Sequence, residues 1–537
     1  MIDLSMIPLA TTHIPAALLQ MASQITPETI SQAIPQAADY VRILPELVLS
    51  TFGIVAMLLD PLVDEEKSQK LLGLIAFAGT IAALLATWYM AQSPGLAFSN
   101  MVKVDSFSVF FHFLIIAIAA VVILSSFEYM AVQRIRAGEY YALILFGAVG
   151  MALMSSAVEL VLIFIALEIS SISTYILTGF RRNEAASSES SLKYFLLGSF
   201  ATAFFLYGVA MMFGATGSAN IEVISQKLQS GPVQLLVYVA MALMLVGLGF
   251  KVAAAPFHIW TPDVYEGAPA PIVGFMSTAP KAAAFAVLLR VVFTINAPGR
   301  FWLLWIAAAL SMTIGNVGAL VQTNIKRMLA YSSIAHAGYL LVAFAMTTSE
   351  NSASGISAAM FYTAAYAAMN VGAFAVVSHF ANAGERYVTL EDYEGLGRSS
   401  PLLAAALTIF LLSLIGIPMT GGFLAKFYVF SAAVKANLIW LTIIGVINSA
   451  VGSYYYQRII VVMYMREARK PVPVSPVPFG LGLALALTIV ATLYLGILPN
   501  RVLQFAQRSA QELLPQPPAP GSANTAQTRP PAAIPQN

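Results

Sequence analysis

The sequence predicts an all-α polytopic membrane protein of about fourteen transmembrane helices, two of them broken. Three observations carry this. Of 537 residues, 59% are apolar and 10% are charged, against about 25% charged in an ordinary soluble domain. Windows of roughly 20 apolar residues, the length that crosses a bilayer, recur along the whole chain. Two of those windows are interrupted by Gly/Pro runs with a lysine beside the interruption.

The windows centre near residues 51, 81, 117, 149, 168, 203, 245, 284, 312, 337, 368, the 401–434 region, 451 and 489. Each is expected to be helical, because a chain in hydrocarbon must satisfy its backbone polar groups within itself. The windows near 149 and 168 almost touch, and 401–434 is split by GIPMTGG, so the count spans thirteen to fifteen. Trp88, Trp260, Trp302, Trp305 and Trp440 fall at window ends, where amphipathic rings favour the membrane interface.

The first break is the more explicit. The run from Ala240 to Ala255 (AMALMLVGLGFKVAAA) carries one charge, Lys251, and is followed by Pro256 in PFHIWTPDVYEGAPAP. Proline lacks a backbone donor and clashes one turn back, so the helix is expected to end near Val252. Non-helical backbone at membrane depth is tolerated only where protein or internal water covers it. A central lysine costs roughly 2.5–3.5 kcal/mol to insert and is retained where it faces a partner or a hydrated cavity.

Orientation follows from the basic residues of the loops. With the windows numbered one to fourteen, the loops 1–2, 3–4, 5–6, 9–10, 11–12 and 13–14 carry thirteen Lys and Arg, among them Lys326 and Arg327. The opposite side, with both tails, carries eight. Odd-to-even loops are therefore placed in the cytoplasm, and both termini outside or in a lumen. No Lys or Arg precedes Arg42, so the positive region of a secretory signal is missing. The segment from Pro515 is rich in Pro, Ala and Gln and is expected to be disordered.

Several function classes are excluded. There is no cysteine, which rules out cysteine-ligated iron–sulfur clusters and disulfides. The sequence has neither a dinucleotide-binding fingerprint nor a P-loop, and His13, His112, His258, His336 and His379 show no metal-ligand spacing. No cofactor, metal or nucleic acid is expected on this chain. If redox chemistry or nucleotide hydrolysis drives it, another subunit performs that chemistry.

Six cations lie inside apolar windows: Lys193, Lys251, Lys281, Arg290, Lys426 and Arg458. Arg290 and Arg458 lie close enough to window ends to snorkel or to bond between helices. Lys193 opens its window directly after a polar loop, and by position alone is as easily interfacial as internal. Lys251, Lys281 and Lys426 are central and point to a polar path. Among the acids only Glu168, in VLIFIALEISSISTYIL, is plainly mid-window. Glu159, two and a half turns earlier, falls on the opposite face and nearer the helix end. A buried Glu168 near Lys251 makes a mutually dependent titratable pair, and His336 in LAYSSIAHAGYLLV, with two ring nitrogens, is a further relay candidate. A hydrogen-bonded structural histidine is the alternative there.

An internal repeat links these residues. ISSIS at Ile169–Ser173 echoes YSSIA at Tyr331–Ala335, and each is followed by a proline-broken window bearing a lysine: APFH after Lys251, and GIPMTGGF before Lys426. Paired broken segments in two halves are the pattern of an inverted-repeat transporter with its ion site at mid-depth.

The runs FKVAAAPFHIWTPDVYEGAPAP, NIKRMLAYSSIAHAGYLL and GIPMTGGFLAKFYVF resemble the antiporter-like subunits of complex I and of the Mrp cation/proton antiporters, over about residues 40 to 505. Within that family the chain looks most like subunit 2, called subunit N in bacteria, of the NAD(P)H dehydrogenase-like complex of cyanobacteria and chloroplasts. The late broken window carries Lys426, where the sister subunit 4 usually has a glutamate, and no long lateral amphipathic helix follows the last window as it does in subunit 5. The resemblance implies a proton channel through Glu168, Lys193, Lys251, Lys281 and Lys426. It also implies iron–sulfur clusters and quinone, or plastoquinone in a thylakoid, in the assembled complex and none in this chain. Its partners would be the other subunits, neighbouring antiporter-like subunits among them, and the lipid bilayer.

The expected organisation is an N-terminal extension (1–40), peripheral helices 1–3 (41–139), two inverted five-helix repeats (140–296 and 300–465), a last helix with its flank (466–514) and the tail (515–537). The function expected is that of a proton-translocating subunit of an NAD(P)H-quinone or ferredoxin-plastoquinone oxidoreductase. The rival from another class is a stand-alone Na⁺(K⁺)/H⁺ antiporter, and a purely structural scaffold is opposed by the three central lysines.

Overall fold

Every apolar window read from the sequence is occupied by helix. The computed structural model describes residues 35–63, 65–133, 137–295, 300–346, 352–381, 383–468 and 475–514, so the tail 515–537 and all but the last residues of the expected extension lie outside the described residues. The first part comprises α1 (Ala37–Arg42), α2 (Leu44–Leu59), α3 (Glu65–Met90) and α4 (Ser106–Gln133). A short antiparallel hairpin of β1 (Gly95–Ala97) and β2 (Val102–Val104), with Leu96 opposite Lys103, joins α3 to α4. This hairpin is the one departure from an all-α reading among the described residues, and three-residue strands are too short for a period-2 pattern to reveal.

The first half of the interior follows: α5 (Gly138–Ser156), α6 (Leu160–Thr178), α7 (Ala185–Thr216), the short surface helix α8 (Ile221–Gln229), α9 (Leu235–Val252), α10 (Trp260–Gly267), α11 (Ala270–Met276) and α12 (Ala279–Thr294). The second half comprises α13 (Arg300–Leu320), α14 (Ile325–Phe344), α15 (Ser352–Ala381), the single turn α16 (Leu396–Ser399), α17 (Pro401–Ile415), α18 (Gly421–Lys435) and α19 (Ile439–Met465). The last elements are α20 (Phe479–Ile497) and the amphipathic α21 (Asn500–Leu513), which packs on the start of α4 through Glu512 and Ser106.

Among the described residues, eleven helices are long and apolar enough to cross a membrane. The other windows explain the difference from about fourteen. α14 and α19 have 20 and 27 residues but are too polar to qualify, and the 401–434 window is divided into α17 and α18 of 15 residues each.

Both expected breaks are present. α9 ends at Val252, where Ala253 turns left-handed (φ 58°), and the chain runs through a cis Ala255–Pro256 bond before α10 begins. The freed Ala255 N–H donates to Ser311 Oγ on α13 at 2.8 Å, so protein covers the open backbone as the membrane requires. α17 ends at Gly416 (φ 94°), a left-handed residue that suits glycine, and Met419 is also left-handed (φ 70°) before α18 restarts.

The most enclosed element is α11–α12: every residue from Ala270 to Phe293 is buried. Trp88, Trp302 and Trp440 are strongly exposed near the ends of α3, α13 and α19, as a place at the membrane interface would require. Trp260 departs from this pattern. Its indole is 3% exposed, stacks on Tyr194 and Phe250 at 4.6 and 5.1 Å, and donates to the Phe250 carbonyl, because the break turns that segment end into the interior.

Candidate functional site

Lys251 stands at the C-terminal end of α9, 7% exposed. Its Nζ donates to Ser171 Oγ at 2.7 Å and to Tyr175 OH at 3.5 Å, and lies 5.1 Å above the Tyr175 ring. Ser171 and Tyr175 share a face of α6 with Glu168, at spacings of three and four residues. Glu168 is half-buried between Ile165 and Ile172, which are exposed, and its Oε1 is buried without a hydrogen-bond partner. It is close enough to interact electrostatically with Lys251 but makes no ion pair with it. Glu159 accepts from Leu162 N as the cap of α6, in line with its expected place at the helix end.

Lys281, 3% exposed near the start of α12, reaches across to α14. Its Nζ donates to Ser333 Oγ at 2.5 Å and approaches the Ser333 carbonyl at 3.3 Å. Ser333 Oγ also accepts from Tyr366 OH on α15 at 2.7 Å. One turn further along α14, His336 Nδ1 bonds Tyr362 OH at 2.7 Å and Nε2 bonds Tyr456 OH at 3.3 Å, and Tyr456 OH also bonds Ser332 Oγ. The Tyr366 ring lies 5.1 Å from the imidazole. Each of these hydroxyls can donate and accept, as a proton-passing group must.

Lys426 closes the line. Its Nζ donates to the Leu414 and Ile415 carbonyls at 3.0 and 2.9 Å and to Ser449 Oγ at 2.9 Å, above the Tyr339 ring at 5.0 Å. The two carbonyls are among the unpaired acceptors at the end of α17, where the helix dipole favours a cation. Tyr339 OH in turn accepts from Asn316, which also accepts from Tyr455 OH.

The structure thus brings Lys281, His336 and Lys426 into one tyrosine-lined interior and sets Lys251 beside it, against Ser171 and Tyr175 on the Glu168 face of α6. Tyr194, Trp260 and Tyr265 stand between the two: Lys251 Nζ is 5.7 Å from the Tyr194 ring, and Lys281 Nζ is 5.9 Å from the Tyr265 ring.

Lys193 stands apart. Its side chain is 42% exposed and pairs with Glu189 and with Asp263 of α10, both at 2.8 Å. Arg290 bonds between helices, as one reading of its position expected: it forms a two-pronged pair with Asp105 at 2.8 and 3.0 Å and donates to the Ser155 carbonyl. Arg458 reaches the Leu320 and Gln322 carbonyls at 3.5 Å.

Counting charges in windows missed the tyrosines. Tyr362, Tyr366, Tyr455 and Tyr456 are fully buried or nearly so, and the signal that finds them is a phenol repeated at helical spacing inside an apolar helix, as in FYTAAYAAMN. It also missed Asp263 and Glu385, whose windows end before them.

Comparisons with known proteins show the family. Residues 157–452 match the family model described as NADH:quinone oxidoreductase/Mrp antiporter, TM. The NADH-quinone oxidoreductase subunit N 2 of Koribacter versatilis is 66% identical over 90% of this chain and 99% of its own length. The chain belongs to the subunit N family of NADH-quinone oxidoreductases. A chain of the respiratory complex I of Thermus thermophilus solved with bound aureothin superposes with a TM-score of 0.74 at 36% identity, covering 86% of this chain and 99% of that one. A chain of the Mrp complex from a Dietzia species shares the fold at 20% identity, with a TM-score of 0.75 over 87% of this chain and 97% of that one. As a subunit N relative, the chain carries the antiporter-like membrane fold of multi-subunit assemblies.

Proposed function

We propose that the chain is a proton-translocating membrane-arm subunit of an NADH-quinone oxidoreductase of the complex I type. It moves protons while other subunits carry electrons from NADH to quinone. The observation that carries the reading is the contrast between two sets of buried cations. Lys326, Arg290 and Arg181 are each matched by a carboxylate. Among the described residues Lys251, Lys281 and Lys426 form no ion pair and hydrogen-bond only hydroxyl and carbonyl oxygens, Glu168 acting on Lys251 through space alone. A lysine with neutral partners leaves no carboxylate stranded when it releases its proton, whereas a paired one would.

In this reading Lys251, Lys281 and Lys426 exchange protons through Ser, Tyr and His336 neighbours. Glu168, half-buried with one unpartnered oxygen, modulates Lys251, and Lys193 acts from the half-exposed end of α7. The division at 1–40, 41–139, 140–296, 300–465, 466–514 and 515–537 separates the periphery from the two repeats. With no cysteine in the sequence, cysteine-bound iron–sulfur clusters do not fit this chain, and we assign them, with quinone, to its partners. The names of the relatives support NADH as donor and quinone as acceptor. The narrower expectation of a thylakoid, plastoquinone and lumenal termini rests on the sequence resemblance and loop charges alone, and the quinone extracted from the native membrane tests it. The stand-alone antiporter is not favoured, since its likeness at 20% identity reaches only the fold.

The test is the assembled complex in sealed vesicles carrying Lys281→Ala. Proton translocation should collapse and NADH-driven quinone reduction slow, with the electron-transfer centres intact. Wild-type pumping in that variant would exclude the path.

A further inference from the structure

We propose that Glu385 is a positioning residue whose carboxylate fixes the broken segment between Lys251 and Lys281. The proposal rests on the proton-path reading above, and the experiment below separates the two. Glu385 lies in the turn after α15, and its side chain is 3% exposed. Its Oε1 accepts from Tyr129 OH of α4 at 2.8 Å and from Ala270 N–H at the start of α11 at 2.6 Å. Its Oε2 accepts from Lys326 Nζ of α14 at 2.6 Å and lies 3.5 Å from Arg181 Nη2, just beyond α6. Four chain segments that are far apart in sequence therefore meet on one carboxylate.

The cations it holds fasten the same place. Lys326 Nζ also donates to the Ala268 carbonyl at 2.6 Å, and Arg181 to the Gly267 carbonyl at 3.2 Å. Three backbone groups of the α10–α11 junction, at residues 267, 268 and 270, are thus tied to this cluster. The next cation, Arg327, pairs with Asp263 at 2.6 Å and Glu266 at 2.8 Å on α10 itself.

Lys326 and Arg327 sit in the first turn of α14, where the helix dipole disfavours cations. Carboxylates matched to both offset that penalty. Glu385 is itself left-handed (φ 48°) beside Gly384 (φ 70°), a conformation that a non-glycine residue keeps only when its surroundings over-determine it. Burial pushes the Glu385 carboxyl up, but Lys326 and Arg181 outweigh this and hold it below the ordinary glutamate range, so the anion persists.

The consequence falls on the wall between the lysines. Tyr265, two residues before Gly267, faces Lys281, and Trp260 opens the same short helix against Tyr194. Releasing the junction frees α10 to move and changes the spacing that separates Lys251 from Lys281.

The test uses the assembled complex in sealed vesicles, with proton flux normalised to the amount of complex. Glu385→Gln keeps the shape and loses the charge that faces two buried cations; flux per complex should fall about ten-fold, within the roughly 10²-fold that a 1 Å misplacement of a reacting group can cost. Glu385→Asp should recover most of it. Tyr129→Phe removes one bond without a charge change and should give a smaller loss, which keeps the test open if the glutamine variant fails to assemble. Unchanged flux per complex in both Glu385→Gln and Tyr129→Phe, or a loss that tracks assembly alone, would overturn the proposal. Lys281→Ala is the control: normal pumping there sinks the proton-path reading, whereas normal pumping confined to the Glu385 and Tyr129 variants sinks only this one.

Discussion

Ser171 and Ser333 play the same part in the two halves of the molecule: each accepts a hydrogen bond from a buried lysine, Lys251 at 2.7 Å and Lys281 at 2.5 Å. They are the second serines of ISS and YSS, the letters that make up the internal echo in the sequence. What repeats is therefore a lysine-docking position on α6 and on α14.

That equivalence predicts matched effects. Ser171→Ala and Ser333→Ala each leave an ammonium without its nearest hydroxyl, at a cost of about 1–3 kcal/mol or more for a charged group. Both should lower proton flux per assembled complex, and threonine at either place should preserve it. A flux loss in one half alone would show that the two serines are not equivalent.

Lys251→Arg separates charge from titration, because arginine keeps the cation and cannot release its proton at accessible pH. Proton translocation measured with a pH-sensitive dye inside vesicles should be lost in Lys251→Arg as in Lys251→Ala. Normal pumping in the arginine variant would make Lys251 a fixed electrostatic element.

His336 is joined to α19 by one oxygen, Tyr456 OH, which it shares with Ser332. Tyr456→Phe removes that oxygen and little volume, so assembly should persist while proton flux slows. His336→Leu, which removes both nitrogens, should slow it further. Equal flux in wild type and Tyr456→Phe would indicate that protons reach Lys426 by another route.

Gly416 ends α17 at φ 94°, and a Cβ there would lie 3.3 Å from Lys426 Cδ. Gly416→Ala adds about 1–2 kcal/mol of left-handed strain and presses on the lysine. Thermal unfolding of the purified complex should begin at a lower temperature, with a loss of pumping that Leu412→Ala, on the same helix, does not reproduce.

Asp105 makes a pH-dependent contribution at the other end of α12. Burial pushes its carboxyl up, but the charge and hydrogen bonds of Arg290 dominate and hold it below the ordinary aspartate range. A carboxyl lowered in the folded state stabilises above its unfolded pKa, and that stabilisation is lost as pH falls through the lowered value. The midpoint of thermal inactivation should thus drop in acid below the usual carboxylate range. Asp105→Asn should flatten this dependence and lower stability at neutral pH, by roughly 3–5 kcal/mol if Arg290 is left buried and unpaired.

Much of the candidate site was legible because hydrocarbon is intolerant of charge. A lysine in an otherwise apolar window needs a reason, so Lys251, Lys281 and Lys426 stood out before any fold was known, and Pro256 and GIPMTGG marked the breaks beside two of them. The helix positions were legible for the same reason: a spanning chain must bond to itself, and a run of apolar residues is enough to place it.

The sequence could not say which polar groups meet. Tyr366 and Ser333, or Lys326 and Glu385, are distant along the chain, and tyrosine is ordinary in an apolar helix until its hydroxyl is seen against a lysine. Lys193 shows the same limit, since its position left an interfacial and an internal place equally open, and packing decides for a half-exposed one against Asp263. By itself the sequence determined that the chain spans a membrane, where its helices run and which cations are costly. Tertiary structure alone decided which of those cations are neutralised by carboxylates and which are left among neutral oxygens, because that depends on helix rotation and on loops folding back, which no local pattern encodes.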